Sequence, residues 1–276
     1  MIREDIIVGE GMRFPLKGIL TLPENVDGPV PAVVLVHGSG SSNMDEAVGK
    51  VTPFKDLAEG LANKGIASIR YDKRSFAHGL KMVRDKSTII TVKEETIDDA
   101  ILATELLKKD SRIDSHNIFI IGHSMGGMLA PRIDSEGGKY KGLIIMAGTP
   151  RKLEDVMLEQ NEAVLSSTKG LVNWIVRKQV AKLSGLFSGL YELSDEEAKK
   201  KKVLGGTTLY YFKEMGEHSV ADYLATTKKP MLIVQGEKDF QVSVEKDFNE
   251  YKRLLNDKTN VEFRLYENLN HAFVNY

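Results

Sequence analysis

A mostly parallel β-sheet with helices on both faces, interrupted by a helical insertion, is the fold this sequence predicts. Three observations carry that expectation. First, short runs rich in β-branched residues, Ala32-Val33-Val34-Leu35-Val36 the clearest, alternate with stretches of helical periodicity. A strand that is apolar throughout belongs in a sheet covered on both faces, which favours parallel pairing. Second, the alternation stops over residues 151 to 228, where helical patterns occur without a convincing strand, and then resumes. The expected organisation is thus a core of residues 1–150 and 229–276 with 151–228 inserted into it. Third, the run Ile118 to Ile121 ends abruptly in Gly122-His123-Ser124-Met125-Gly126, followed by a small-residue stretch that suits a helix. Strand, sharp turn and helix with a serine at the apex form the pattern that exposes a nucleophile.

The elements follow in order. Residues 4 to 10 and 16 to 22 read as two strands turning through Gly11-Met12-Arg13, an antiparallel edge hairpin. Pro31 opens the apolar strand 32 to 36. Pro53 suits the first turn of a helix, where its missing N–H is not needed; Phe54, Leu57, Ala58 and Leu61 share a side, and Gly65 closes the element. Ile66 to Tyr71 is the next strand. Residues 91 to 109 read as one long amphipathic helix that turns Ile97, Ala100, Ile101, Leu106 and Leu107 toward the core. Ile118 to Ile121 is a strand, 125 to 133 a helix, and Gly142 to Met146 a strand. Within the insertion, helical stretches fall at 153–167, 171–183, 194–203 and 208–224. Met231 to Val234, a helix from 243 to 256, and Val261 to Tyr266 complete the core.

Composition narrows the function classes. The 276 residues suffice for one large α/β domain carrying an insertion. A net charge of −1 gives no reason to expect nucleic acid or an anionic membrane as a partner. The chain has no cysteine, which excludes disulfides, cysteine-ligated metals and a thiolate nucleophile. Met1-Ile2-Arg3-Glu4-Asp5 has no apolar signal core, and no apolar run of roughly 18 residues occurs, so a cytoplasmic protein is expected.

A serine nucleophile needs a base to take its proton and a group to orient that base. When the serine stands on such a turn, acid and base follow it on loops after later strands, in the order serine, acid, histidine. With Ser124 as nucleophile, the strand Met231 to Val234 runs into Gln235-Gly236-Glu237-Lys238-Asp239 and offers two carboxylates. Asp239 lies further beyond the strand end and is the better placed, with Glu237 as the alternative. Asn268-Leu269-Asn270-His271 follows the last strand, so His271 is the expected base. His123 lies inside the turn with its ring directed away from Oγ. His78 and His116 precede the nucleophile, and His218 lies in the insertion.

The oxyanion of acyl transfer needs two preorganised N–H donors. Met125, directly after the nucleophile and at a helix N-terminus, supplies one; the loop His37-Gly38-Ser39-Gly40 supplies the other, with Ser39 the candidate. A phosphate-binding loop is the competing reading of those glycines, but no lysine follows at Walker spacing and G-x-G-x-x-G is absent.

Taken together, His37-Gly38-Ser39-Gly40, Pro53-Phe54-Lys55-Asp56-Leu57-Ala58, Tyr71-Asp72-Lys73-Arg74, Gly122 to Gly127, Gln235 to Val242 and Asn268 to His271 resemble bacterial carboxylesterases of the α/β-hydrolase superfamily. The chain is also similar, more distantly, to dienelactone hydrolases; those use cysteine, which this chain lacks, so that chemistry is disfavoured. The resemblance implies Ser124, Asp239 and His271 as the catalytic triad and 151–228 as a cap over the site. It also implies a final helix beyond the histidine, where only Ala272 to Tyr276 follow; the bare sheet surface that its loss would leave invites a homodimer or low stability.

The expected function is therefore a serine carboxylesterase acting on small to medium acyl or aryl esters through an acyl-enzyme, with no metal or organic cofactor. A thioesterase, peptidase or acyltransferase on the same triad is the alternative, because the turn does not report the leaving group. A non-catalytic ligand-binding homologue is the reading from another class; it is disfavoured because all three triad candidates are present. Of the apolar side chains in the insertion, Tyr210 and Tyr211 are the candidate substrate contacts, because similar esterases carry aromatics near this point.

Overall fold

The structure, a computed structural model, describes residues 1–85, 89–203 and 207–275. The hairpin forms as β1 (Ile2–Val8) and β2 (Leu16–Leu22), paired antiparallel with Ile2 opposite Leu22 and Val8 opposite Leu16. The apolar runs become β3 (Val30–Val36), β4 (Ala67–Tyr71), β5 (Ile113–His123), β6 (Leu143–Met146), β7 (Met231–Gly236) and β8 (Val261–Tyr266). They assemble into one eight-stranded sheet of order β1-β2-β4-β3-β5-β6-β7-β8. Only the β1–β2 and β2–β4 pairings are antiparallel; β4 through β8 run parallel.

Register decides where the loops meet. Val36 lies opposite Gly122, His123 opposite Met146, and Gly236 opposite Tyr266. The carboxyl ends of β3, β5, β7 and β8 therefore share one rim of the sheet, where such folds gather their ligands.

Helices α1 (Pro53–Ala62), α2 (Arg74–Arg84), α3 (Asp98–Lys109) and α4 (Met125–Ile133) join the strands up to β6. The pleat sorts the strand residues by face. Val34, Val36, Ile118 and Ile120 join the larger core, while Val33, Leu35 and Ile121 pack with Phe54 and Ala58 of α1. Phe54 is fully buried, a burial worth about 1.5–3 kcal/mol over exposure.

Several details depart from the sequence reading: β1 lies two residues earlier than expected, and the stretches 208–224 and 243–256 are each divided in two. Residues 91–109 are not one α-helix: a π-helical turn, Lys93–Ile97, precedes α3. Helix α2 was not foreseen. And β5 begins at Ile113, with a register shift against β3 between Val30 and Ala32.

Between β6 and β7 the chain forms α5 (Leu153–Ser167), α6 (Gly170–Phe187), α7 (Asp195–Lys200), α8 (Leu209–Glu217) and α9 (Val220–Thr226). A capping box starts α7, Ser194 accepting from the Glu197 amide while Glu197 accepts from the Ser194 amide. The last connection carries α10 (Asn249–Leu254), entered through another π-helical turn, Val244–Phe248. No helix among the described residues is long and apolar enough to cross a membrane.

Candidate active site

At the end of β5, Ser124 adopts φ 53° and ψ −117°, a backbone that non-glycine residues rarely hold and that costs on the order of 1–3 kcal/mol. It is held from both sides: its amide donates to Met146 O (2.8 Å), and its carbonyl accepts from the Met128 amide (3.0 Å). The flanking glycines are required by space. A Cβ at Gly122 would stand 2.1 Å from Gly126 O, and one at Gly126 would stand 2.2 Å from Val36 O. The second close approach is to β3, not to the strand that carries the serine.

Beyond β7, the turn expected to supply the acid resolves into two unlike carboxylates. Asp239 is buried: Oδ1 accepts from the Gln241 and Val242 amides (2.8 and 3.0 Å), and Oδ2 from Gln235 Nε2 (2.8 Å). The same Oδ2 lies 2.7 Å from His271 Nδ1. Glu237 is at the surface, its carboxylate 3.5 Å from Lys238 Nζ. Gly236 lets the loops after β7 and β8 meet, since a Cβ there would fall 2.4 Å from Leu269 O. With the Nδ1 proton committed to Asp239, the neutral His271 ring keeps its lone pair on Nε2.

The remaining histidines are engaged elsewhere. His78 Nε2 lies 2.7 Å from Pro15 O, His218 Nδ1 lies 2.7 Å from the Tyr223 hydroxyl, and His116 is exposed. His37 Nε2 donates to Asn43 O (3.0 Å) in a pocket with Phe54 and Tyr71, and burial pushes its pKa down to about 4.

His123 packs against the histidine loop, its ring 4.8 Å from the His271 ring. Its Nε2 donates to His271 O (2.8 Å), tying the serine turn to the histidine loop. Its Nδ1 lies 2.9 Å from Glu46 Oε2, an ion-pair contact in which the ring N–H is not aimed along the line of centres. Burial opposes charge on the ring, but Glu46 and the His271 carbonyl outweigh it and raise the pKa above its usual value. Glu46 is held the other way: burial opposes its ionisation, and His123 and the Gly38 amide together keep it below the usual carboxylate range. Glu46 Oε1 accepts the Gly38 N–H at 2.7 Å. One buried ion pair thus joins the loop after β3, the serine turn and the histidine loop.

A cavity of about 810 Å³ opens beside these loops. Ser39 and Met125 line it from the core, Leu80 from α2, Leu153 and Met157 from α5, and Tyr211 from α8. Among the described residues, neither the Ser39 nor the Met125 amide donates to a protein acceptor. Tyr211 is buried; its hydroxyl donates to Glu95 Oε2 (2.6 Å) and lies 3.7 Å from Met125 Sδ. Tyr210 lies outside the cavity lining, its ring 4.8 Å from Lys199 Nζ. Of the two tyrosines expected to meet substrate, the structure brings one to the cavity. Among the described residues no group of three or more histidine, aspartate or glutamate side chains is arranged to hold a metal ion.

Sequence reasoning missed Glu46, Lys73, Glu95 and Gln235 as members of this neighbourhood. Lys73 and Gln235 lie in the motif stretches and Glu95 in the amphipathic pattern of 91–109, which reports its core face and not this acid. Glu46 reaches the site through folding alone and leaves no local signal.

Residues 27–275 match the family described as serine aminopeptidase, S33. The chain belongs to that family. This S33 chain is also 35% identical over 259 residues to the esterase EstD of Thermotoga maritima, a match covering 94% of this chain and 58% of that protein. It therefore spans less than two thirds of its relative's length. Solved structures with the same fold include the Pyrococcus furiosus esterase Pf2001, with TM-score 0.62 and 20% identity over 98% of this chain and 82% of that one. Est1E from Butyrivibrio proteoclasticus gives 0.60 and 16%, covering 98% of this chain and 90% of that one. At such identities these two likenesses show the fold alone. The S33 chain has the α/β-hydrolase fold that its motifs implied.

Proposed function

We propose that the protein is a serine carboxylesterase that hydrolyses small to medium acyl or aryl esters. The observation that carries this reading is the 2.7 Å contact between Asp239 and His271 on the loops after β7 and β8, on the same rim as the strained Ser124. His271 Nε2 takes the Ser124 proton as Oγ attacks the ester carbonyl. The oxyanion is held by the Ser39 and Met125 amides, and the α4 dipole adds to the second of these. His271 then protonates the departing alcohol, and the acyl group remains on Ser124. Water, deprotonated by the same ring, attacks the acyl-enzyme and releases the acid. Asp239 keeps the Nδ1 proton in place and stabilises the charged ring between these transfers.

The esterase name of the Thermotoga relative supports the ester reading, whereas the family's description points to a peptidase. One feature favours the ester. An aminopeptidase needs a free carboxylate for the substrate's ammonium group. Among the described residues Glu95 is the cavity's only acid, and it already accepts from Tyr211 and faces Lys73 at 3.8 Å. The cavity's volume lies within the usual range for small-molecule sites, and its largely apolar walls, which also carry Arg84, suit an acyl or aryl group better than an ammonium group. Because those walls come partly from α5 and α8, we read residues 151–228 as a cap that selects the acyl group, resting on a core of 1–150 and 229–276.

The test is pre-steady-state kinetics with 4-nitrophenyl butyrate, together with an organophosphate label. The reading expects a burst of one nitrophenolate per active site and a covalent adduct at Ser124. An intact, folded protein that shows neither would refute it.

A further inference from the structure

The oxyanion donor assigned to Ser39 raises a question of aim, because a loop amide can turn away from the substrate. Gly38 C=O and Ser39 N–H belong to one peptide group, and in a trans peptide they point in opposite directions. Lys73 Nζ donates to Gly38 O at 2.7 Å. Lys73 directly follows Asp72 beyond β4, its side chain is 2% exposed, and its amide is fixed to Ser42 O. On the other side of Gly38, its own N–H is taken by Glu46. Both peptide planes around Gly38 are therefore pinned by buried charged side chains, and the Ser39 N–H is left pointing away from Lys73. Ser39 itself lines the cavity.

We propose that Lys73 is a positioning residue of the oxyanion hole, one that locks the Gly38–Ser39 peptide so that the Ser39 N–H faces the substrate's carbonyl oxygen. The proposal rests on the serine-esterase reading and adds to it a residue that touches no substrate atom. A buried ammonium bonded to a carbonyl also polarises that peptide and strengthens its N–H as a donor. Burial works against the Lys73 charge, and the carboxylates that sustain it are Glu95, with Oε1 at 3.8 Å, and Glu46. Glu95 is in turn held by the Tyr211 hydroxyl from α8. A path of contacts thus runs from Tyr211 through Glu95 and Lys73 to the oxyanion peptide. Contact between α8 and the core holds Glu95 beside Lys73, which favours the aligned peptide.

Lys73→Met tests this, since it keeps the length and apolar stem of the side chain and removes the donor. Active sites are counted with an organophosphate, and per-site kcat and KM are measured with 4-nitrophenyl butyrate. Affinity is measured for an alkyl trifluoromethyl ketone, whose serine adduct places an oxyanion in the hole. Loss of a direct donor lowers kcat by ~10²–10³-fold. A donor left in place but misaimed should lower per-site kcat by ~10-fold or more and weaken the ketone by a similar factor, with KM moving much less. If kcat and ketone affinity stay within about twofold, or if kcat falls while ketone affinity holds, Lys73 does not aim the peptide. Lys73→Met/Glu95→Gln, which removes the carboxylate charge left unpaired, carries the same expectation if the single variant does not fold. A parent protein without an adduct at Ser124 overturns the esterase reading and this proposal together. A labelled parent with an unaffected variant overturns this proposal alone.

Discussion

Ser124 and Ala share the same steric problem at φ 53°, so Ser124→Ala should leave the turn as strained as before and the fold intact. Activity should fall by ~10³-fold or more in kcat, since water in the vacated space has no positioned base-activated oxygen to replace. A variant within tenfold of the parent would mean that another nucleophile does the chemistry. The acid offers a sharper comparison. Asp239 Oδ2 receives both Gln235 Nε2 and His271 Nδ1, while Oδ1 receives two amides. Asp239→Asn must therefore set an NH₂ group against donors on one side, and His271 can relieve the clash only by moving its proton to Nε2. That tautomer cannot accept from serine, so a loss of ~10³–10⁴-fold is expected, against no more than a few-fold for Glu237→Gln. Comparable losses in the two variants would move the acid to Glu237. The proposed triad residues were legible because each stands just past a strand in a fixed chain order. Glu46 and Lys73 were not: each acts on Gly38 across a gap in sequence that no periodicity records.

Among the elements, the parallel strands were the most readable, since an apolar run such as Val33 to Val36 has few other places to go. Helix α2 was less so. Its apolar residues Phe76, Leu80 and Val83 have helical spacing, but Gly79 interrupts the segment and the stripe stays exposed; two of its members line the cavity and none enters the core. The insertion gave up its helices but not their orientation. Tyr210 and Tyr211 are neighbours on α8, roughly 100° apart around the axis, so both could not face the cavity. Sequence alone did not say which would. That geometry separates two substitutions. Met157→Ala removes part of the α5 wall and should shift kcat/KM toward longer acyl chains, changing the octanoate-to-acetate ratio by ~3-fold or more. Tyr210→Ala, outside the cavity, should leave that ratio unchanged. A chain-length panel in which both variants track the parent would remove α5 from the acyl site and with it the selecting role of the cap.

For the molecule as a whole, the buried histidine of the loop after β3 ties stability to pH. His37 is 1% exposed and its pKa is pushed down to about 4 by burial, against an ordinary value of 6.5. The unfolded chain therefore takes up a proton between these values while the folded chain does not. The stabilisation from keeping His37 neutral is complete above pH 6.5 and lost as pH falls toward 4, an effect of roughly 3 kcal/mol over that window. Asp99 works in the opposite sense. Burial raises its pKa to about 7 even against the pull of Arg74, so acidification over the same range stabilises the fold through it. The parent's melting curve alone thus mixes two opposed contributions. The difference between parent and His37→Asn does not, because Asp99 is present in both. Asparagine can still donate to Asn43 O but cannot titrate, and its lost contacts with Phe54 and Tyr71 set an offset that does not vary with pH. The variant should be less stable than the parent at pH 7.5. By pH 4.5 it should recover about 2–3 kcal/mol relative to the parent, or several degrees in Tm. A gap between the two melting temperatures that stays constant from pH 7.5 to 4.5 would show that His37 does not remain neutral inside the fold.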